Sequence, residues 1–506
     1  MATKATSDDV AKAMSTENGS SIAKPTVKIA DAAEYLRLHQ ERYGTYSLRE
    51  AKAVLRKIDW RLLPLMWITT NLSAKIIISN AALYGMTEDL KLEGQSYSWV
   101  GSIFYFGFLA GEWPFGPVIQ HLPVAKLLSG TVCAWGALTL LMGATNNSAG
   151  MMTLRFLMGF FEAPLYPMLS VMTVMWYKNT EQPVRVTVWF TSLSSVVTGI
   201  ISWGLGHAGT GVASWRLLFI TLGSFTLIWG IVLFIFLPGS PMTTKFLDER
   251  ERFIAVDRLK ENMTGLDNKE FKWYQVREAF LDWKSWLIVA ISIFMNVPNG
   301  GLVTFAAQIV SGMGYGKLQT TLLGMPTGVI QTVSAFMVSG LCSFTRNKRT
   351  LFGAIFCLVP MACSIIIRRL PEENKTGLLI AYYFFYFFWA AYPTIISLPL
   401  ANTSGHSKKL TVNAMTFTSY CVANIIAPQL FRASQAPHYT TGYNGILGCE
   451  IGAICCMGLY ALGCYLENRS RDAKEAAAAE PTAELSAQEM LDDVTDKEKP
   501  GFRYVF

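Results

Sequence analysis

The sequence predicts an all-α membrane protein whose twelve transmembrane helices form two six-helix bundles. Its 506 residues are 51% hydrophobic and only 16% charged, too apolar for a soluble enzyme of this length. Apolar stretches of the roughly 20 residues that a helix needs to cross a bilayer recur along the chain. One long polar segment interrupts them midway.

The expected cores are Leu62 to Leu83, Ser98 to Ile119, Leu127 to Ala144, Met151 to Trp176, Val186 to Leu205 and Leu217 to Leu237 in the first half. The second half supplies Trp286 to Val310, Leu322 to Phe344, Phe352 to Ile367, Leu378 to Ala401, Val412 to Phe431 and Leu447 to Leu466. Between the halves, Pro238 to Lys284 carries nine basic and nine acidic residues. Within it, Lys245 to Met263 reads as a surface helix with Phe246, Phe253, Ile254 and Leu259 as its apolar stripe.

The expected organisation is an N-terminal region 1–58, a first bundle 59–237, a central loop 238–284, a second bundle 285–467 and a disordered tail 468–506. Asp31 to Ile58 is expected to hold amphipathic helices. The polar start lacks the apolar core of a secretory signal. Arg56, Lys57 and Arg61 precede the first span, and Arg469, Arg471 and Lys474 follow the last, which predicts that both termini are cytosolic. Asn146 and Asn374 open Asn-x-Ser/Thr triplets in expected outer loops.

Arg155 and Glu162 are the most informative residues, because they lie inside an otherwise uncharged apolar run from Met151 to Tyr177. Seven residues are close to two helical turns, so both side chains point to nearly the same face. A charge at the bilayer centre costs on the order of 3 kcal/mol, and such groups line substrate or proton pathways. The competing reading is an ion pair that anchors helices. Lys75, deep in the first span, is a candidate anion clamp, against the reading of a lysine that reaches the outer interface.

Amides and helix breakers recur inside the spans: Asn296, Pro298, Asn299, Gln308, Gln331, Asn402 and Asn424. In lipid such groups need partners and so favour the bundle interior. Each alone suits helix packing, but as a set over both halves they suggest a polar central cavity, with Tyr105, Tyr166, Trp389 and Tyr392 as candidate walls.

Other chemistries lack their residues. The net charge of +7 shows no basic stripe with aromatic interleaving, so nucleic acid is not an expected partner. Gly204, Gly206 and Gly209 follow an apolar helix without a βαβ unit, and no phosphate-binding GxxxxGK[ST] occurs. The five histidines (His39, His121, His207, His406 and His438) are scattered, and the nine cysteines show no metal-ligand spacing. No cofactor, metal or enzymatic activity is expected.

From Arg56 to Asn468 the chain resembles the major facilitator superfamily, and within it the fungal anion:cation symporter group typified by allantoate permease. The markers are RKIDWRLLPL from Arg56, NAALYGM from Asn80, RFLMGFFEAPLYP from Arg155, LPGSP from Leu237, PNGGLVTF from Pro298, LLGMPTG from Leu322, NTSGHSKK from Asn402 and NIIAPQLF from Asn424. The resemblance implies alternating access around a midplane site, in a monomeric carrier of the plasma membrane that moves a small organic anion with a proton. It implies that Glu162 is the proton-coupling carboxylate, tuned by Arg155. Relatives often have an acid followed by a cation in the first helix, whereas this chain has Ala74 and Lys75.

The residues expected to bind substrate are therefore Lys75, Tyr105, Tyr166, Gln308, Asn402 and Asn424. Two rival functions remain at this level: an exporter of a secondary metabolite or toxic compound, and a membrane nutrient sensor that moves nothing.

Overall fold

The computed structural model describes residues 35–39, 42–72, 77–178, 180–191, 193–207, 211–260, 271–345, 347–477, 493–499 and 501–506. Among them the regular structure is helical, and it forms the two six-helix bundles of the expected fold.

In the first bundle the crossings are Leu48–Asn71 with Ile77–Leu83, Ser96–His121, Val124–Met142, Ser148–Glu162 with Leu165–Trp176, Gln182–Trp189 with Ser194–Gly206, and Ser214–Phe236. The second contains Trp283–Gly312, Lys317–Gly324 with Pro326–Phe344, Arg349–Arg369, Lys375–Phe385 with Phe388–Ile395 and Ser397–Asn402, His406–Leu430, and Thr440–Ala477. Ten of these stretches satisfy the length and hydropathy of a membrane span. The other two are the first crossing, of which residues 73–76 lie outside the described residues, and the proline-containing second crossing. The end of the molecule bearing Leu48 and Ala477 is called the terminal end below, and the opposite one the far end.

The first helix starts well before the expected Leu62. Ser47 caps it and Glu50 reaches back to the Ser47 amide, so the polar stretch through Arg61 continues into the membrane as one helix. The central loop contains a shorter helix than expected, Glu249–Asp257, which buries Phe253 and Ile254.

Glycine sets the distance between the second and fourth crossings. A Cβ at Gly107 would run into the Phe156 carbonyl, one at Gly111 into that of Phe160, and one at Gly159 into that of Phe104. Pro164 has no N–H to give the Phe160 carbonyl, so this helix pauses after Glu162 and resumes at Leu165. The freed carbonyl lies against Gly111.

Ion pairs gather at the terminal end and join elements of one half. Arg185 meets Asp59 at 2.8 Å and Arg258 meets Glu181 at 2.6 Å. In the second half, Lys408 meets Glu278 at 2.8 Å, Asp282 at 3.1 Å and Asp496 at 2.6 Å.

That last contact belongs to a segment expected to be disordered. Instead, Tyr504, Thr495 and Asp496 are fully buried. Arg471 donates to the carbonyls of Asp496, Lys499 and Phe502. Asn468 and Tyr504 exchange two hydrogen bonds, and the Arg349 amide donates to the Phe506 carbonyl at 3.0 Å. The tail thereby ties together the terminal ends of five crossings.

Two predictions follow from this packing. Gly159→Val should force the second and fourth crossings apart and cost roughly 1–3 kcal/mol, read as a lower melting temperature of the detergent-solubilised protein. Burial by itself would lift the Asp282 carboxyl, but the Lys284 and Lys408 ammonium groups outweigh it and hold the group below the ordinary aspartate range. A depressed folded value contributes stability that is fully present above the unfolded value of about 3.9 and lost as pH falls through the folded one. Asp282→Asn at neutral pH should remove that contribution and speed hydrogen exchange in residues 493–506 about fivefold, the equivalent of roughly 1 kcal/mol.

Candidate functional site

A cavity of about 150 Å³ lies between the two halves, with walls from the first, second, fourth, fifth, seventh, eighth, tenth and eleventh crossings. Hydroxyls and amides form one part of its lining: Thr70, Asn80, Thr191, Ser195 and Thr198 from the first half, and Asn299, Thr320, Thr327 and Gln331 from the second. Aromatic rings form another, with Tyr105, Tyr166, Trp389 and Tyr420 among them. The described lining contains no charged side chain.

The two ends of the cavity are closed by different physics. Toward the far end the halves are joined by hydrogen bonds: Tyr97 Oη donates to the Thr304 carbonyl at 2.5 Å, the Ala307 amide to Ser79 Oγ at 2.8 Å, and Ser102 Oγ to the Ile425 carbonyl at 2.7 Å. Midway, the Gly328 amide donates to Ser195 Oγ at 3.0 Å. Toward the terminal end the contacts are aromatic. Phe108 stacks on Phe417 with centroids 5.4 Å apart, and Phe190 on Trp389 at 6.3 Å.

The polar walls are held in place by their neighbours. Asn80 Nδ2 donates to Ser202 Oγ at 3.0 Å, and Thr70 Oγ1 to the Trp189 carbonyl at 2.7 Å. Asn299 Nδ2 donates to Asn424 Oδ1 at 3.0 Å, while Asn424 Nδ2 donates to the Tyr420 carbonyl at 2.8 Å. Tyr382 and Tyr386 join their hydroxyls at 2.9 Å. Each contact fixes a rotamer around a space large enough for a small molecule.

Tyr105 and Tyr166 line this cavity. Asn424 stands behind Asn299 and orients it. Gln308 is not brought to the cavity: one turn beyond Thr304, it accepts from Tyr439 Oη at 3.4 Å. Asn402 is not brought there either. It lies at the terminal end, where Nδ2 donates to Tyr460 Oη and the Val505 carbonyl, both at 2.6 Å, and Oδ1 accepts from the Val505 amide at 2.7 Å. The amide signal was the same for all three, but the polar demand at Asn402 is met by the tail. Lys75 lies outside the described residues.

Arg155 and Glu162 are buried one layer behind the lining, 2% and 0% exposed. The Arg155 guanidinium lies 5.5 Å from the Phe104 ring centroid, and its Nε donates to the Val100 carbonyl at 3.4 Å. Glu162 closes the helix before the Pro164 break and is within electrostatic reach of Arg155 and of the cavity-lining Tyr420.

Two further carboxylates at membrane depth escaped the sequence reading. Glu112 is in the second crossing, half-buried, with Oε2 enclosed and no hydrogen-bond donor to it among the described residues. Glu450 is in the twelfth, 1% exposed, and receives a hydrogen bond from the Cys357 thiol of the ninth. The signal that singled out Glu162, an acid inside an apolar run, marks both.

The comparisons with known proteins agree with this architecture. The family model for the Major Facilitator Superfamily matches residues 66–428. An uncharacterized transporter of Schizosaccharomyces pombe is 36% identical over 468 residues, which cover 91% of this chain and 88% of the relative. Allantoate permease of Saccharomyces cerevisiae is 32% identical over 501 residues, covering 94% of this chain and 89% of the permease. Among solved structures, an inward-facing, unoccupied bacterial homolog of the human lysosomal transporter Spinster gives a TM-score of 0.59, covering 82% of this chain and 97% of its own at 14% identity, a likeness of fold alone. Helices, cavity and relatives together make this chain a multi-pass transporter of the Major Facilitator Superfamily, allantoate-permease-like in its sequence, and not an enzyme.

Proposed function

We propose that the protein carries a small organic anion together with a proton, as a monomer in the plasma membrane with both termini cytosolic, by alternating access of the two bundles 59–237 and 285–467 around the cavity. The observation that carries this reading is a polar cavity shared by both halves, with a buried carboxylate, Glu162, one layer behind its aromatic wall. Lys75 is the proposed anion clamp. The chain enters the cavity wall on both sides of it in sequence, at Thr70 and at Ser79 and Asn80. The name of the Saccharomyces relative, allantoate permease, supports a carboxylate as cargo.

Glu162 is the proposed proton carrier, and Arg155 holds its field close to it. Desolvation and a nearby cation act on a carboxylate in opposite senses, which lets a buried acid cycle between its two forms. Coupling follows if the empty carrier reorients readily only when Glu162 is neutral. The hydrogen bonds at the far end and the aromatic contacts at the terminal end supply two separate closures, and opening either one alone would expose the cavity to one side.

An imposed gradient of one pH unit is worth 1.36 kcal/mol per proton and sustains about a tenfold concentration ratio. With allantoate as the first probe anion in a wider uptake screen, Glu162→Gln should reduce that ratio to about one while leaving exchange at symmetric pH partly intact. Acid-driven accumulation equal to the parent's contradicts the coupling role. Lys75→Ala removes a charged donor worth roughly 1.5–3 kcal/mol and should raise KM for a transported anion at least about tenfold; an unchanged KM removes the clamp. Efflux from preloaded cells without uptake would identify an exporter instead.

A further inference from the structure

Asn299 lines the cavity from the seventh crossing, and its amide has a fixed polarity. The contacts that fix it start at a backbone group. Asn424 is wholly buried in the eleventh crossing, and its amide lies 2.8 Å from the Tyr420 carbonyl. A carbonyl oxygen accepts and never donates, so the NH2 end of Asn424 must turn to it and the Oδ1 end must turn away. That Oδ1 meets Asn299 at 3.0 Å, so Asn299 must in turn offer its own NH2 there. What Asn299 has left for the cavity is Oδ1, which no donor reaches among the described residues.

Glycine makes this relay possible. A Cβ at Gly300 would stand 2.9 Å from both Cα and Oδ1 of Asn424, so the residue beside Asn299 must be small for the two crossings to come this close. The walls from the first half are polarised as well. Thr70 Oγ1 gives its proton to the Trp67 and Trp189 carbonyls at 2.9 and 2.7 Å, and Thr198 Oγ1 gives its proton to those of Ser194 and Ser195 at 2.8 and 3.3 Å. Both hydroxyls keep lone pairs, and no proton, for a ligand. Thr191 is the reverse, because its oxygen already accepts from Trp67 Nε1 at 2.9 Å and Asn71 Nδ2 at 3.3 Å, which leaves its proton to give. Thr320 Oγ1, without a partner among the described residues, can turn either way.

Asn299, Thr70 and Thr198 thus offer lone pairs, against the one proton of Thr191. A buried acceptor left unfilled costs binding energy, so a ligand that brings N–H groups is favoured over one that brings acceptors alone. An ammonium would meet no carboxylate in the described lining. A neutral N–H fits better.

We propose that Asn299 selects the cargo: its Oδ1 accepts a hydrogen bond from a neutral amide or ureido N–H of the transported anion, and Asn424 is the positioning residue that keeps this oxygen turned to the ligand. The proposal rests on the anion-carrier reading above and narrows its substrate class to anions that carry such a group.

Succinamate and levulinate test it, since they share a carboxylate, a carbonyl and a skeleton and differ by an NH2 in the place of a CH3. Calorimetric titration of the full-length protein in lipid nanodiscs, carried to millimolar anion, measures both dissociation constants. The parent should bind succinamate about tenfold more tightly, the equivalent of roughly 1.4 kcal/mol. In Asn299→Leu the ratio should fall to about one, with levulinate binding unchanged. Asn299→Asp should retain the preference in acidic buffer, where its protonated carboxyl donates to Asn424 Oδ1 and keeps a carbonyl oxygen for the cavity. Equal binding of the two anions by the parent overturns the assignment. So does a preference that survives in Asn299→Leu, or a loss of levulinate together with succinamate in that variant, which marks a packing role. Binding of neither anion by a parent that takes up allantoate overturns the selection by Asn299 alone, whereas binding of neither, with no anion taken up in the wider screen, overturns the carrier reading beneath it.

Discussion

Backbone contact between the second and fourth crossings is the constraint on which the remaining structure depends. Without side chains at Gly107, Gly111 and Gly159, carbonyl oxygens of one helix lie against the other, at a distance that any Cβ would forbid. In lipid, helices gain little from hydrophobic association and hold together by close packing and hydrogen bonds. The short distance is what lets Arg155 reach the Val100 carbonyl and the Phe104 ring, and so lets a guanidinium remain buried with its field shared by neighbouring groups. It also explains why Pro164 is tolerated, since the Phe160 carbonyl it leaves unfilled is covered by Gly111.

From that contact the distribution of charge follows. Ion pairs crowd the terminal end and tie each half to itself, whereas the hydrogen bonds that join the halves lie from the middle toward the far end. The tail adds to the internal bracing of the second half, because Asp496 and Tyr504 are buried against Lys408, Asn468 and Arg471. Each bundle is therefore stiff, and the seam between them is the softer boundary. That mechanical contrast suits two bodies that move against each other around a fixed cavity.

Most of the fold was legible in the sequence because hydropathy is a strong signal for spans, and the helices form the expected two bundles. The start of the first crossing was not, since Arg56, Asp59 and Arg61 look like a loop to hydropathy, while the Ser47–Glu50 cap makes them part of one helix. Residues 493–499 and 501–506 of the tail were misread because their order depends on distant partners, Asn402 and Arg471 among them, that composition does not reveal. In the site, Tyr105 and Tyr166 were legible as aromatics beside polar spans. Hydroxyls such as Thr198 were not, because they can return their hydrogen bond to their own helix and so leave no trace in a hydropathy profile. Gln308 and Asn402 carried the same amide signal as Asn424, and only their three-dimensional partners separate packing from cavity.

The central claim is that the halves rock around this cavity with one end closing as the other opens. Double electron–electron resonance between spin labels at Glu93 and Lys317 on the far end, and at Lys126 and Lys409 on the terminal end, measures both gaps in the reconstituted protein. All four positions are exposed, and each pair bridges the two halves. The account predicts that a shift from alkaline to acidic buffer changes the two distances in opposite senses. Distances that stay fixed, or that lengthen together, would contradict it.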